Sequence, residues 1–365
     1  MTGEANPADE RDWQVALVGI TGPHSRGWLE TLRSLDEVRD LLVCDVDADS
    51  TVASPATTTH PGTQVPEDVT SVSFDALLTA SGRPDMVLLS VRNDQAPDLG
   101  ERLLRAGIPC IIEKPSGRTS ADIERLNAAA TAGGTIWAPG FLNRLQPAAR
   151  RIRRLVSEGA LGHIQSIEAR MVTSSVSQRN PEHWLFRKEI AGGGILHWLA
   201  IHTIDLIRYL TGQEFAEVSG HVRTFTRGID VEDMAALTFT LNGGAVGNLH
   251  AGYILRQRYG DIGITLRGDL GEILWPQWGF EGRQDTIYLH NEGPQSEGSG
   301  PEVVTLTPPE GAGYGGGLGQ QFVRRFMHAS RMGGQFITDG DDALRAMRFV
   351  EAAYTASDSG LRVAP

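Results

Sequence analysis

The chain has 365 residues, 40% of them apolar and 21% charged, a globular composition too long for one ordinary core, so two domains are expected. A formal net charge of -12 argues against nucleic acid or an anionic membrane as the main partner, although a few local basic groups suffice for an anionic ligand. Residues 1–13 lack the basic start and apolar stretch of a secretory signal, and there is no run of about 18 apolar residues. A cytoplasmic protein without a membrane span is therefore expected. Cys44 and Cys110 lie inside apolar runs and read as reduced core thiols, and no Cys/His cluster has metal spacing, so no metal is expected.

From residue 13 to about 141, short apolar runs (15–20, 41–46, 86–91, 110–112 and 135–139) alternate with helix-like stretches (28–35, 74–80, 96–106 and 120–132). Continuous apolar strands between helices imply a parallel sheet buried on both faces, the doubly wound α/β architecture. The rhythm then changes. A helix is predicted over 146–158, then strands over 164–173, 217–226, 234–241, 245–252, 261–267 and 286–290, with turn signals such as Asn242-Gly243-Gly244 between them. Strands following strands imply an α+β domain with a mainly antiparallel sheet. One helix, about 194–210 and stopped at Gly212, interrupts the run; 291–319 reads as exposed loops, and a final helix covers 342–356. The division predicted is a dinucleotide-binding domain, 1–142, and a substrate-binding and oligomerisation domain, 143–365.

The first strand leads into Thr21-Gly22-Pro23-His24-Ser25-Arg26-Gly27 and then a helix. A tight glycine turn here places helix N–H groups against a pyrophosphate. Gly22 and Gly27 fit the Gly-x-Gly-x-x-Gly pattern, with His24 at the middle glycine. Asp45 ends the second run, 23 residues after Gly22, where a carboxylate accepts hydrogen bonds from the adenosine ribose. It would repel a 2′-phosphate, which favours NAD over NADP.

Further along, Leu104-Arg105-Ala106-Gly107-Ile108-Pro109 runs into Cys110-Ile111-Ile112-Glu113-Lys114-Pro115. This resembles the A-G-K-H-V-x-x-E-K-P signature of the Gfo/Idh/MocA family, which contains glucose–fructose oxidoreductase and inositol dehydrogenase. Ala191-Gly192-Gly193-Gly194-Ile195-Leu196, followed by Ile201-His202-Thr203-Ile204-Asp205, resembles that family's G-G-G-x-L-x-D-x-G-x-H-x-x-D. The resemblance extends over nearly the whole chain in the same order. It implies a Rossmann domain followed by an α/β domain with a large open sheet, through which subunits often meet as a dimer or tetramer.

Oxidising a carbinol needs a hydride acceptor, a base for the hydroxyl proton and positive charge near the developing alkoxide. The resemblance implies that Lys114 hydrogen-bonds the reacting oxygen, with Glu113 orienting the cofactor, and that His202 takes and returns the proton. Ser25 and Arg26 in the glycine turn are candidate cofactor contacts, and although the fourth-strand loop, Ser90-Val91-Arg92-Asn93-Asp94-Gln95, departs from the family's Thr-Pro-Asn-x-x-His, Ser90 and Asn93 can still hydrogen-bond the cofactor and Arg92 adds charge near it. Arg144, Trp184, Arg187, Trp198, His197 and Asp205 are candidate substrate contacts, as are His183, Tyr253, Arg256 and Arg258. Asp205 either orients His202 or ties the helix to the sheet; Arg144 either meets substrate or forms a structural ion pair.

The main departure is Trp198, four residues before His202, where the family commonly carries aspartate. Three readings stand: the indole stacks on a sugar face, the redox chemistry is altered, or Trp198 is core. His197 lies about 140° around an α-helix from His202, so it does not simply replace the aspartate. The expected function is an NAD-dependent dehydrogenase or reductase of a sugar, polyol or glycoside. The alternatives are an enzyme that retains NAD without net redox change (epimerase, lyase or glycoside-cleaving) and a non-catalytic sensor.

Overall fold

The computed structural model describes residues 12–20, 22–46, 69–256, 260–279, 282–283, 285–292 and 302–365. The chain folds into two compact units. The first contains residues up to Ser116, Glu124–Gly140 and Pro309–Gly340; the second contains Gly117–Ile123, Phe141–Pro308 and Asp341–Pro365. Residues 309–340 thus return to the first unit, which a single division at residue 142 does not contain.

The first unit begins with β1 (Trp13–Val18), α1 (Ser25–Arg33), β2 (Val38–Cys44), β3 (Thr70–Ser71), α2 (Phe74–Leu77), β4 (Met86–Leu89), α3 (Ala96–Arg105), β5 (Cys110–Ile112), α4 (Ser120–Gly133) and β6 (Trp137–Pro139). The six strands described are all parallel, in the order β3-β2-β1-β4-β5-β6. Val15, Leu17, Val87, Leu88, Cys110 and Ile111 are fully buried, which is why these strands read as unbroken apolar runs. The order reverses at β1, which pairs β2 on one side and β4 on the other. In doubly wound sheets the carboxyl ends of the strands at such a reversal form a ligand-binding crevice.

The second unit runs through α5 (Pro147–Ser157), β7 (Ile164–Ser174), α6 (Lys188–Ala191), a π-turn at Leu196–Ala200, α7 (Ile201–Thr211), β8 (Phe215–Arg223), β9 (Met234–Leu241), β10 (Val246–Leu255), β11 (Asp261–Gly268), β12 (Gly271–Gly279), β13 (Gly282–Arg283), β14 (Thr286–Asn291) and β15 (Glu302–Thr305). The sheet order is β15-β14-β12-β11-β7-β10-β9-β8, with β13 beside β12; β10 and β7 are parallel and the other pairs antiparallel. One face alternates inward (Val218, Leu237, Phe239, Leu249, Ile264, Leu266) and packs with the buried residues of α5 and α7 in one core. Two helices close the chain, α8 (Gly317–Met332) and α9 (Gly340–Ser359). The stretch Lys188–Thr211 is long and apolar enough to cross a membrane by composition, but 78% of its 18-residue apolar window is buried, as in a core helix.

Three features differ from the sequence-based expectation. The glycine-rich stretch 291–319 carries β15 and the start of α8, a helix of 16 residues that the loop reading omits. Phe322, Val323, Phe326 and Met327 bury one face of α8, so tertiary packing overrides the poor helix propensity of its glycines. β12, with Pro276 inside it, was likewise missing.

Candidate active-site residues

In the first unit the polar candidates gather where strands end. Gly19, directly after β1, has φ +88°, and a Cβ there would collide with the Ser90 carbonyl. A Cβ on Gly22 would lie 2.8 Å from both the Ser90 carbonyl and Ser25 Oγ. Ser25 Oγ donates to the Ser90 carbonyl at 3.1 Å and lies 3.0 Å from Ser90 Oγ, so the turn after β1 is held against the end of β4. Ser90 and Asn93 are buried, Asp45 follows β2 directly, and His24 at the α1 N-cap offers no side-chain cap. Arg26 is exposed and pairs with Glu30. Arg92 is bound by Asp94 through two hydrogen bonds, of 3.0 and 2.7 Å, so much of its charge is answered locally.

Glu113 and Lys114 follow β5, and the Lys114–Pro115 bond is cis. Lys114 is 1% exposed, and burial pulls its pKa down to about 8 despite the opposing charge of Glu113. Glu113 Oε1 accepts Trp28 Nε1–H at 2.6 Å and lies 3.3 Å from His24 Nδ1. Burial alone would raise the Glu113 pKa, but His24, Lys114 and the Trp28 donor outweigh it and hold it below the ordinary value. Its other oxygen, Oε2, is buried with no hydrogen-bond partner among the described residues.

Sequence reasoning missed Tyr314. Its ring stacks on His24 at 4.2 Å and tilts against Trp28 at 4.8 Å, while its N–H donates to Gly27 O and Thr31 Oγ1. A Cβ on Gly27 would lie 3.1 Å from Tyr314, so Gly27 serves this close approach. The signal was present as a lone aromatic in Gly311-Ala312-Gly313-Tyr314-Gly315-Gly316. A glycine cradle at the strand-order reversal, helix amides without a side-chain cap and an unsatisfied buried carboxylate oxygen beside Lys114 together fit a dinucleotide.

In the second unit His202 lies near the start of α7, 8% exposed, edge-on to Phe141 at 6.0 Å. Trp198 lies in the π-turn and meets Trp184 edge-on at 5.9 Å, in a small apolar cluster with Ala191. That placement gives the core reading of Trp198 a physical basis. His197 is buried, with Nε2 2.9 Å from the Arg118 carbonyl and Nδ1 3.2 Å from Tyr354 Oη. Both ring nitrogens are thus engaged by the protein, and burial pushes its pKa below the usual histidine value.

Arg144 holds Asp205 through two hydrogen bonds, of 3.0 and 2.6 Å, and Asp342 through a third of 2.8 Å. Burial disfavours the Arg144 charge, but Asp205 and Asp342 outweigh it and keep it firmly protonated. Of the two readings open for each residue, these contacts support an ion pair tying α7 to its neighbours. Arg187 reaches Glu182 and the Gly228 carbonyl; Tyr253 is buried, Arg256 is exposed, and Arg258 lies outside the described residues.

Two family profiles match: "Oxidoreductase family, NAD-binding Rossmann fold" over residues 13–141, and "GFO/IDH/MocA C-terminal domain" over 149–274. The chain belongs to the GFO/IDH/MocA oxidoreductase family, and its first domain is an NAD-binding Rossmann fold. It is 28% identical over 234 residues to levoglucosan dehydrogenase of Pseudarthrobacter phenanthrenivorans, covering 58% of this chain and 59% of that one. It is 29% identical over 197 residues to myo-inositol dehydrogenase Hyg17 of Streptomyces leeuwenhoekii, covering 52% of this chain and 56% of that one. The chain thus spans a little over half the length of these curated relatives. A solved levoglucosan dehydrogenase, in complex with NADH and levoglucosan, shares the fold at TM-score 0.79 and 23% identity, covering 97% of this chain and 99% of that one.

Proposed function

We propose that the protein is an NAD-dependent oxidoreductase acting on a carbinol or carbonyl carbon of a sugar or polyol. The observation that carries this is the buried Lys114, whose charge Glu113 favours, just past the carboxyl end of β5 in a domain whose glycine cradle fits a dinucleotide. Bound NAD supplies the hydride acceptor. Gly22, His24, Ser25, Gly27, Ser90 and Asn93 would hold the pyrophosphate and nicotinamide half, and Asp45 would accept the ribose hydroxyls. Arg26 and Arg92 contribute charge at the rim of that site. Glu113 Oε2 would accept a donor from the cofactor.

In the oxidative direction the carbinol C–H electron pair leaves as hydride, and the hydroxyl proton passes to His202. The Lys114 ammonium hydrogen-bonds the oxygen as negative charge develops on it. Both steps reverse for reduction. Arg187 offers hydrogen-bonding capacity for the edge of a sugar ring, while Trp198, packed edge-on against Trp184, belongs to the core behind it. Arg144, Asp205 and His197 act on substrate only through the helix they hold.

The domain roles follow: residues 1–142, joined by the returning segment 309–340, bind the nucleotide, and the remainder of 143–365 binds substrate and mediates oligomerisation. Leu274, Tyr288 and Val303 are cross-strand neighbours on β12, β14 and β15, 38%, 39% and 58% exposed, an apolar row suited to pairing with a second copy. A homo-oligomer through this sheet and a cytoplasmic location complete the proposal.

Purified protein incubated with NAD and a panel of sugars and polyols tests the activity. Reduced nicotinamide should accumulate, and Lys114→Ala should lower kcat about 100- to 10,000-fold. An unaffected rate in that variant would remove Lys114 from the chemistry. Substrate conversion without net cofactor change would favour epimerisation or elimination, and tight ligand binding without turnover a sensor.

A further inference from the structure

A buried polar group in the second unit has no part in the reaction above. Glu232, 6% exposed, accepts Gly194 N–H at 2.7 Å through Oε2 and Leu196 N–H at 2.9 Å through Oε1. The N–H of Ile195, between them, donates to the Glu232 main-chain carbonyl at 3.0 Å. Three successive amides at the start of the helix that carries His202 therefore end on one residue. Such amides have no acceptor within their own helix, and a carboxylate there also complements the positive end of the helix dipole.

The Tyr354 hydroxyl, from α9, lies 3.2 Å from His197 Nδ1, and burial together with the Glu232 charge holds its proton on, raising its pKa. The Arg118 carbonyl accepts from His197 Nε2. A Cβ on Gly194 would strike the Glu232 carbonyl, and one on Gly193 the Tyr354 hydroxyl, so the glycines of this loop let the network close upon it. The π-turn, Leu196–Ala200, follows immediately, and His202 comes one residue after Ile201. A π-turn shifts the angular phase of every side chain after it, so its anchoring fixes where the His202 imidazole faces. Asp205, three residues further along the same helix, is held by Arg144.

We infer that Glu232, supported by Tyr354 and His197, is a positioning residue: it anchors the start of the π-turn and so sets the direction of the His202 side chain. The inference rests on His202 as the proton acceptor. Glu232→Gln keeps the size but turns an amide N–H₂ toward one of the backbone donors. Tyr354→Phe removes only the hydroxyl.

The test combines steady-state kinetics below the melting temperature, NAD affinity, and the His202 ring resonance in ¹³C-histidine-labelled protein. Glu232→Gln should lower kcat about 10- to 100-fold, leave NAD affinity unchanged and move the His202 resonance. A lower melting temperature with kcat and the His202 resonance unchanged would overturn the inference, because a purely structural brace predicts that result. If Glu232→Gln does not fold, Tyr354→Phe decides: a displaced His202 resonance supports the inference, and an unmoved one with wild-type kcat overturns it. Wild-type protein that transfers no hydride would defeat the functional reading instead, and the resonance would still report on positioning.

Discussion

Lys114 sits almost out of water, and burial brings its pKa to about 8. If the ammonium stabilises the reacting oxygen, kcat/KM should fall as pH rises through about 8, because deprotonation removes the charge. Glu113 opposes the effect of burial on Lys114, so Glu113→Gln should move that alkaline limb to lower pH. A pH–rate profile of both proteins checks the sign; a limb that stays put or moves upward would contradict the account. The motifs around Lys114 and His202 were legible in the sequence because each is compact and local. The surroundings of Glu113 were not: Trp28 is 85 residues away, and Tyr314 meets Thr31 across 283. Only the fold joins them. Asp94 and Glu232 were missed for a similar reason, since an acidic residue in a loop or at a strand edge looks the same in sequence whether it faces water or a buried donor.

Among the elements, the helix around α7 is pinned by charge as well as by apolar packing. Arg144, Asp205, Asp342, Arg208 and Glu214 form one chain of contacts, with Arg208 bound to Glu214 at 2.6 Å and to Asp342 at 3.1 Å. Arg144→Ala leaves Asp205, 1% exposed, without its main counter-charge. Urea unfolding should show a loss of about 3–5 kcal/mol, since an orphaned buried charge costs far more than a surface pair gains. A loss within about 0.5 kcal/mol, as at an ordinary surface site, would show that the pair is not carrying the helix. The helix was readable from its apolar spacing and the stop at Gly212, which takes φ +67°. Its π-turn was not, because periodicity gives a helical face without its hydrogen-bond register. α8 and β15 were hidden by glycine and proline, whose weak local propensities are overridden here by burial and strand pairing.

Across the whole molecule, the alternation of strand and helix followed by strand upon strand was enough to give both architectures before any coordinates. The return of residues 309–340 to the first unit was not visible, because contacts at long separation leave no period in the sequence. Two measurements belong at this scale. NAD at about 100 times its Kd should stabilise the protein by about 2.7 kcal/mol, read as a rise in melting temperature, since only the folded first domain offers the cradle. Light scattering should give a mass above the monomer's 39.5 kDa, lowered by Tyr288→Lys within the exposed apolar row. A monomeric wild-type protein would rule out the sheet-mediated assembly.

The central claim is direct hydride exchange between a sugar or polyol carbon and the nicotinamide. It is tested most directly by incubating the protein with NAD and polyols deuterated at the carbinol carbon, then weighing the cofactor by mass spectrometry. The account predicts one deuterium on the reduced nicotinamide, lost in Lys114→Ala. Substrate turnover with an unlabelled nicotinamide, or no turnover with any labelled polyol or sugar, would contradict it.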